Sequence, residues 1–221
     1  MDLGVFFDGK KKKKDNPLAK QNLEYALHFV EGEFGAGKTL YLTWNAYMLQ
    51  DDYDYIYANY PLYVEGARYL PHITREILFD LNPEPKEKKA LLLLQEAYHY
   101  FDRRFWNERN NRNIMKALFQ IRKLNVDIVA DIRDIIYLDF RIVQDATFFI
   151  KANRQLKKFP GIFEYKPYNV RKNKYGNFDF LPQKPIFLDM ERVFELYDTT
   201  TKTVDMANDL EEEEEIELFG E

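Results

Sequence analysis

Cysteine is absent from the 221 residues, which excludes disulfides, thiolate metal sites and cysteine nucleophiles. Histidine is nearly absent too. His28, His72 and His99 are scattered without metal-ligand spacing, and we expect them to be satisfied structural histidines rather than ligands. No apolar run approaches the ~20 residues of a membrane span. The start, "MDLGVFFDGKKKKK", puts its charges after its apolar part, the reverse of a signal peptide. These absences predict a soluble chain working in the cytoplasm. What the sequence does hold is ample: apolar residues at 46% and aromatics at 16% can fill the core of one sizeable domain, with or without a small appendage.

The net charge of −5 is unevenly placed. The last thirteen residues, "DLEEEEEIELFGE", carry eight carboxylates and no base, so the rest of the chain stands at +3. Lys10 to Lys14 form a block of five like charges near the other end. Such blocks are usually solvated and disordered; the functional alternative is contact with nucleic acid or an acidic surface.

Along the chain, an irregular basic arm (1–20) precedes a strand near Ala26–Val30, a glycine-rich turn and a helix from Lys38 to about Gln50. A second strand ends near Asn59. After the breaker-rich "LNPEPKEKK", the run "ALLLL" predicts a buried strand of the parallel kind. Residues 96–124 have a helical pattern, "VDIVADI" is a strand, Asp134 to Asp145 a short helix or turn, and "TFFIKAN" a further strand. Strands alternating with helices predict an α/β fold, a mainly parallel sheet with helices on both faces. Beyond Pro160 short aromatic strands, including "RVFELYDTTTK", read as a β-appendage on the sheet edge. The expected organisation is therefore an arm at 1–20, a core at 21–158, a β-rich appendage at 159–204 and an acidic tail at 205–221.

One motif carries specific chemistry. "GEFGAGKT", Gly32 to Thr39, matches G-x-x-x-x-G-K-[ST] in full. Gly32, Gly35 and Gly37 let the backbone turn its N–H groups towards phosphate, with Glu33, Phe34 and Ala36 between them. The following helix offers the positive end of its dipole to the same anion. Lys38 is expected on the β- and γ-phosphates of ATP and the Thr39 hydroxyl on Mg²⁺. The strand "ALLLL" then delivers Gln95 and Glu96 to the sheet edge where ligands bind in such folds. Glu96 is placed to polarise an attacking water; the plainer alternative makes it the first residue of a helix, where a carboxylate suits the dipole.

Taken together these stretches resemble the viral and plasmid ATPases of the FtsK/HerA class, and within it the Zot-like and archaeal-virus packaging or assembly ATPases. "GEFGAGKTLYL" resembles the family's phosphate loop, "YANYPL" its second strand and "LLLLQEAYHYFDRR" its magnesium strand. "LFQIRKLNVDIVADIR" resembles the segment leading to its sensor strand, "DIIYLDFRIVQDATFFI" the segment and strand that follow, and "FELYDTT" a late element. The resemblance implies a RecA-like P-loop NTPase fold. It also implies a ring, a hexamer or a mixed ring with a paralogue, acting on DNA, with a capsid portal or assembly protein as a further partner. Two positions depart from it. Gln95 stands where the family has Asp, and Arg133 where it has a sensor glutamine. Either Arg133 lends positive charge to the γ-phosphate, or it pairs with Asp131 or Asp134. The departures also fit a subunit that holds nucleotide and turns it over slowly or not at all. Arg141 falls where family members carry an arginine able to reach a neighbouring subunit's site. Arg103, Arg104, Arg109, Arg112, Lys116, Arg122 and Lys123 form either a nucleic-acid lining or simply a wet helix face. Phe105 and Trp106 are either base-stacking or buried.

Overall fold

The computed structural model describes residues 26–105, 109–153, 161–173, 177–189 and 193–198. The lysine block, the acidic tail and Trp106 lie outside them, as do the side chains of Phe105, Arg109 and Arg122.

Five aliphatic residues in a row make a strand only where both of its faces are covered, and Ala90–Leu94 (β4) is buried along its whole length. The same holds for Val126–Ile132 (β5), in spite of its two aspartates. With Leu27–Glu31 (β1), Tyr55–Ala58 (β2), Ala67–Tyr69 (β3) and Phe148–Asn153 (β6) they form a parallel sheet in the order β3-β2-β4-β5-β1-β6. A strand therefore stands between β1, which feeds the glycine-rich loop, and β4, which ends at Gln95. Ile162–Lys172 (β7), Phe178–Pro182 (β8) and Ile186–Asp189 (β9) continue the sheet with antiparallel pairing, β7 joining β6 and carrying both β8 and β9.

Helices cover both faces. Lys38–Leu49 (α1) lies on one, in a core cluster with Val30, Leu91, Leu93 and Val129. It buries eight of its twelve residues, as a helix does when covered on both sides. Tyr165, Val193 and Tyr197 belong to the same cluster. The other face holds a second cluster, to which Arg75–Asp80 (α2), Tyr98–Phe101 (α3), Arg109–Ile121 (α4) and Phe140–Asp145 (α5) contribute Leu78, Phe101, Leu118 and Ile142.

Three local expectations are corrected. The stretch 96–124 is not one helix: Glu96 takes a left-handed φ of 53°, and Asp102 leaves α3 in an extended conformation that bridges Leu138. Neither is compatible with a continuing helix. The described part of "RVFELYDTTTK" is a 3₁₀ turn at Phe194–Leu196 followed by an isolated bridge from Tyr197 to Leu62. The short elements β3 and α2 add two pieces that no periodicity announced.

Candidate functional site

The loop from Gly32 to Thr39 turns directly off the end of β1. Gly32 donates its N–H to the Ile132 carbonyl at the end of β5 (3.3 Å), and a Cβ there would sit 2.9 Å from the Ala152 carbonyl oxygen of β6. Gly37 has a φ of +82° and an added Cβ would meet Phe163 at 2.6 Å and the Tyr165 hydroxyl at 2.7 Å. Only glycine satisfies both demands. Phe34 projects from the loop with 90% exposure. The Lys38 ammonium donates to the Gly32 and Glu33 carbonyls (3.0 and 3.2 Å). Gly37 offers α1 no side-chain cap and the first turn holds no acid, so its N–H groups are left for an external anion.

The end of β4 meets this loop. The Gln95 side-chain amide lies 3.3 Å from the Thr39 hydroxyl and donates to it. Asn59, just beyond β2, clamps the Gln95 backbone from both ends, accepting its N–H at 2.6 Å and donating to its carbonyl at 2.9 Å. Asp131 of β5 holds the next step of the turn. Its carboxylate accepts the Glu96 N–H (2.6 Å) and its carbonyl accepts the Ala97 N–H (3.0 Å). The Glu96 carboxylate is about one-third exposed and approaches His99 at 3.9 Å. Asp131 is 3% exposed. Burial raises its pKa to about 7, opposed by the Lys38 ammonium and the Glu96 N–H and reinforced by the Glu96 carboxylate.

The residues Gly32–Thr39, Gln95 and Glu96 thus share one sheet edge. Arg133 follows β5 at the same edge and is exposed; among the described residues it pairs with neither Asp131 nor Asp134. Arg141 is held by Asp139, the residue capping α5, through its backbone N–H, Nε and a 2.6 Å ion pair. The hydrogen bonds from Arg141 depress the Asp139 pKa and the arginine's rises in return. Arg104 is engaged likewise by Asp102. Arg103, Arg112, Lys116 and Lys123 are exposed. His28 departs from expectation: it is fully buried beside Phe148 and neither ring nitrogen has a hydrogen-bond partner.

Sequence reasoning gave no role in the site to Asn59, Asp131 or Tyr165. Asn59 lies inside the quoted "YANYPL", so a signal was at hand; the other two depend on strand register. Among the described residues no three His, Asp or Glu converge as a metal cage. The Thr39 hydroxyl on the phosphate loop, with the carboxylates of Glu96 and Asp131 on the same sheet edge, fits the way Mg²⁺ is held, by few protein ligands together with phosphate oxygens.

A glycine-rich loop between β1 and α1, with a strand interposed before β4, defines an α/β P-loop NTPase of the RecA-like type. Within that class, the family model for zonular occludens toxin (Zot) matches residues 72–202, more than half of the chain, and the chain belongs to that family. The matched region begins after the phosphate loop. Among solved structures, the N-terminal domain of zonular occludens toxin from Neisseria meningitidis is similar, at 15% identity over 79% of this chain and 99% of that one, with a TM-score of 0.51. So is the genome packaging NTPase B204 from Sulfolobus turreted icosahedral virus 2 in complex with sulfate, at 14% identity over 74% and 98%, with a TM-score of 0.50. At these identities the likeness concerns the fold. No curated protein matches the chain.

Proposed function

We propose that this chain binds ATP with Mg²⁺ at Gly32–Thr39 and hydrolyses it to drive DNA packaging or virion assembly. The observation that carries the reading is the junction of the loop with the end of β4, where the Gln95 amide meets the Thr39 hydroxyl at 3.3 Å. The bound magnesium–ATP complex supplies the phosphoanhydride to be cleaved. The backbone N–H groups of the loop and the Lys38 ammonium neutralise the phosphate charge and hold it as it redistributes. The Thr39 hydroxyl offers an oxygen to the metal. Glu96, carried on a turn that Asp131 pins from two sides, orients a water and takes its proton. Arg133 stands at the same edge as an exposed cation for the γ-phosphate.

The packaging role draws support from family membership and from the fold shared with a viral genome packaging NTPase. It carries with it a ring, a hexamer or one mixed with a paralogue, and a DNA substrate met by Arg103, Arg112, Lys116 and Lys123. It also carries a capsid portal or assembly protein in the host cytoplasm. Among the described residues no helix is long and apolar enough to cross a membrane. Arg141 serves as an arginine in trans only by leaving Asp139.

Steady-state ATP hydrolysis with and without DNA tests the reading. We expect DNA-stimulated turnover that Glu96→Gln lowers at least 100-fold, with nucleotide affinity kept. A second reading is favoured by Gln95 and Arg133: a subunit that holds nucleotide in a mixed ring without turning it over. Silent wild type with intact ATP binding, revived by Gln95→Asp alone or with Arg133→Gln, supports that reading instead.

A further inference from the structure

Four aspartates are buried among the described residues: Asp102, Asp127, Asp131 and Asp139. Three of them hold a cation of the chain itself. Asp102 pairs with Arg104, Asp127 with Lys89 at 2.7 Å and Asp139 with Arg141 at 2.6 Å. Asp131 has no salt-bridge partner among the described residues, and its side chain accepts the Glu96 N–H. The Lys38 ammonium acts on it from a distance without forming an ion pair, and only partly offsets its burial. A buried carboxylate so incompletely compensated is costly unless a further charge arrives from outside.

Its position says which charge. β4 and β5 pair in parallel up to Leu94 beside Ala130, so the next residues, Gln95 and Asp131, are lateral neighbours. Both lie in the alternation that includes Leu93 and Val129, the face packed against α1. On its other side Asp131 is paired with Val30 of β1, two residues before Gly32. The carboxylate therefore stands between the strand that feeds the phosphate loop and the one that reaches Thr39. Gln95 has an amide where a magnesium site wants negative charge, and an acid stands one strand away on the same face.

We propose that Asp131 supplies, from β5, the carboxylate that Gln95 does not, orienting the water shell of a Mg²⁺ held by Thr39 and the nucleotide. This rests on the reading of Gly32–Thr39 as a nucleotide site. Asp131 also fixes the Glu96 turn, and the two tasks are separable, because an asparagine keeps the acceptor for the Glu96 N–H and loses the charge.

The test uses the full chain and a fluorescent ATP analogue, titrated in excess EDTA and in Mg²⁺. In wild type we expect Mg²⁺ to tighten binding about tenfold or more. Asp131→Asn should reduce that gain to about twofold or less, with an unchanged melting temperature in the absence of metal. Gln95→Asp combined with Asp131→Asn should restore it. An Asp131→Asn variant that keeps the wild-type gain overturns the proposal. If Asp131→Asn fails to fold, Gln95→Asp alone decides. A second acid beside one that already serves should change the gain less than threefold, whereas an increase of tenfold or more means that the site lacked a carboxylate and the proposal is wrong. Wild type that does not bind the analogue at all overturns the nucleotide reading itself; binding with a gain that ignores Asp131 overturns this inference alone.

Discussion

His28 is a titratable ring enclosed on every side, packed edge-on to Phe148 with centroids 5.0 Å apart and with no partner for either nitrogen. Burial, helped by the Lys89 charge, lowers its pKa from 6.5 to about 3. A base whose folded pKa is depressed binds fewer protons in the native state than in the unfolded one between those two values. The stability is thus fully present above about pH 6.5 and is lost progressively as pH falls towards 3. Across that window each whole step of pH removes about 1.4 kcal/mol, so at pH 5 this group alone should cost about 2 kcal/mol relative to neutral pH. His28→Leu, of similar size and with no nitrogen to bury, should remove that component. Thermal melts from about pH 4.5 to about pH 7.5, spanning the window of that linkage, check it: the variant's melting temperature should fall less steeply with acid than that of wild type, and parallel curves would refute the assignment.

At the scale of elements, β5 shows how one strand serves both fold and site. Its first acid, Asp127, takes the Ala26 N–H at 2.7 Å, the Tyr53 hydroxyl at 2.6 Å and the Lys89 ammonium, tying the sheet's lower edge together. Asp127→Ala would strand the buried Ala26 N–H and take the acceptor from the partly buried Tyr53 hydroxyl and Lys89 ammonium, and we expect a loss of about 2 kcal/mol in chemical denaturation. Asp131→Asn, four residues on, should cost little by the same measure because its acceptor survives. β4 was legible from an unbroken apolar run, as a strand covered on both faces requires, and β1, β5 and β6 from apolar runs interrupted only by His28, by Asp127 and Asp131, and by Lys151. The phosphate loop was legible because its chemistry is local. The division between the two acids was not, for it depends on which residue of β4 lies beside each. The break at Glu96 was equally hidden, since a left-handed residue held by a neighbouring strand leaves the helical periodicity around it intact. β3 and α2, three and six residues long, are too short to show a period.

Across the whole molecule, the segment after Pro160 reaches the phosphate loop. β7 packs Phe163 and Tyr165 against Gly37, and the Tyr165 hydroxyl donates to the Gly37 carbonyl at 2.7 Å across 128 residues of sequence. That same carbonyl accepts the Tyr41 N–H of the first turn of α1, and the Tyr165 ring lies 4.9 Å from that of Tyr41. Burial raises the Tyr165 pKa well above the usual tyrosine value, so the hydroxyl stays a donor at any working pH. The antiparallel strands thus brace the point where the loop becomes the helix. Tyr165→Phe keeps the packing and deletes one hydrogen bond, and should cost about 1 kcal/mol in chemical denaturation. If the brace sets the loop's shape for phosphate, the same variant should weaken binding of the fluorescent ATP analogue about threefold to tenfold. Phe163→Leu should lower stability and leave affinity closer to wild type, because Phe163 makes no polar bond to the loop. Equal loss of affinity in both variants would mean that β7 supports the loop through packing alone, and that the hydroxyl contributes only to the fold.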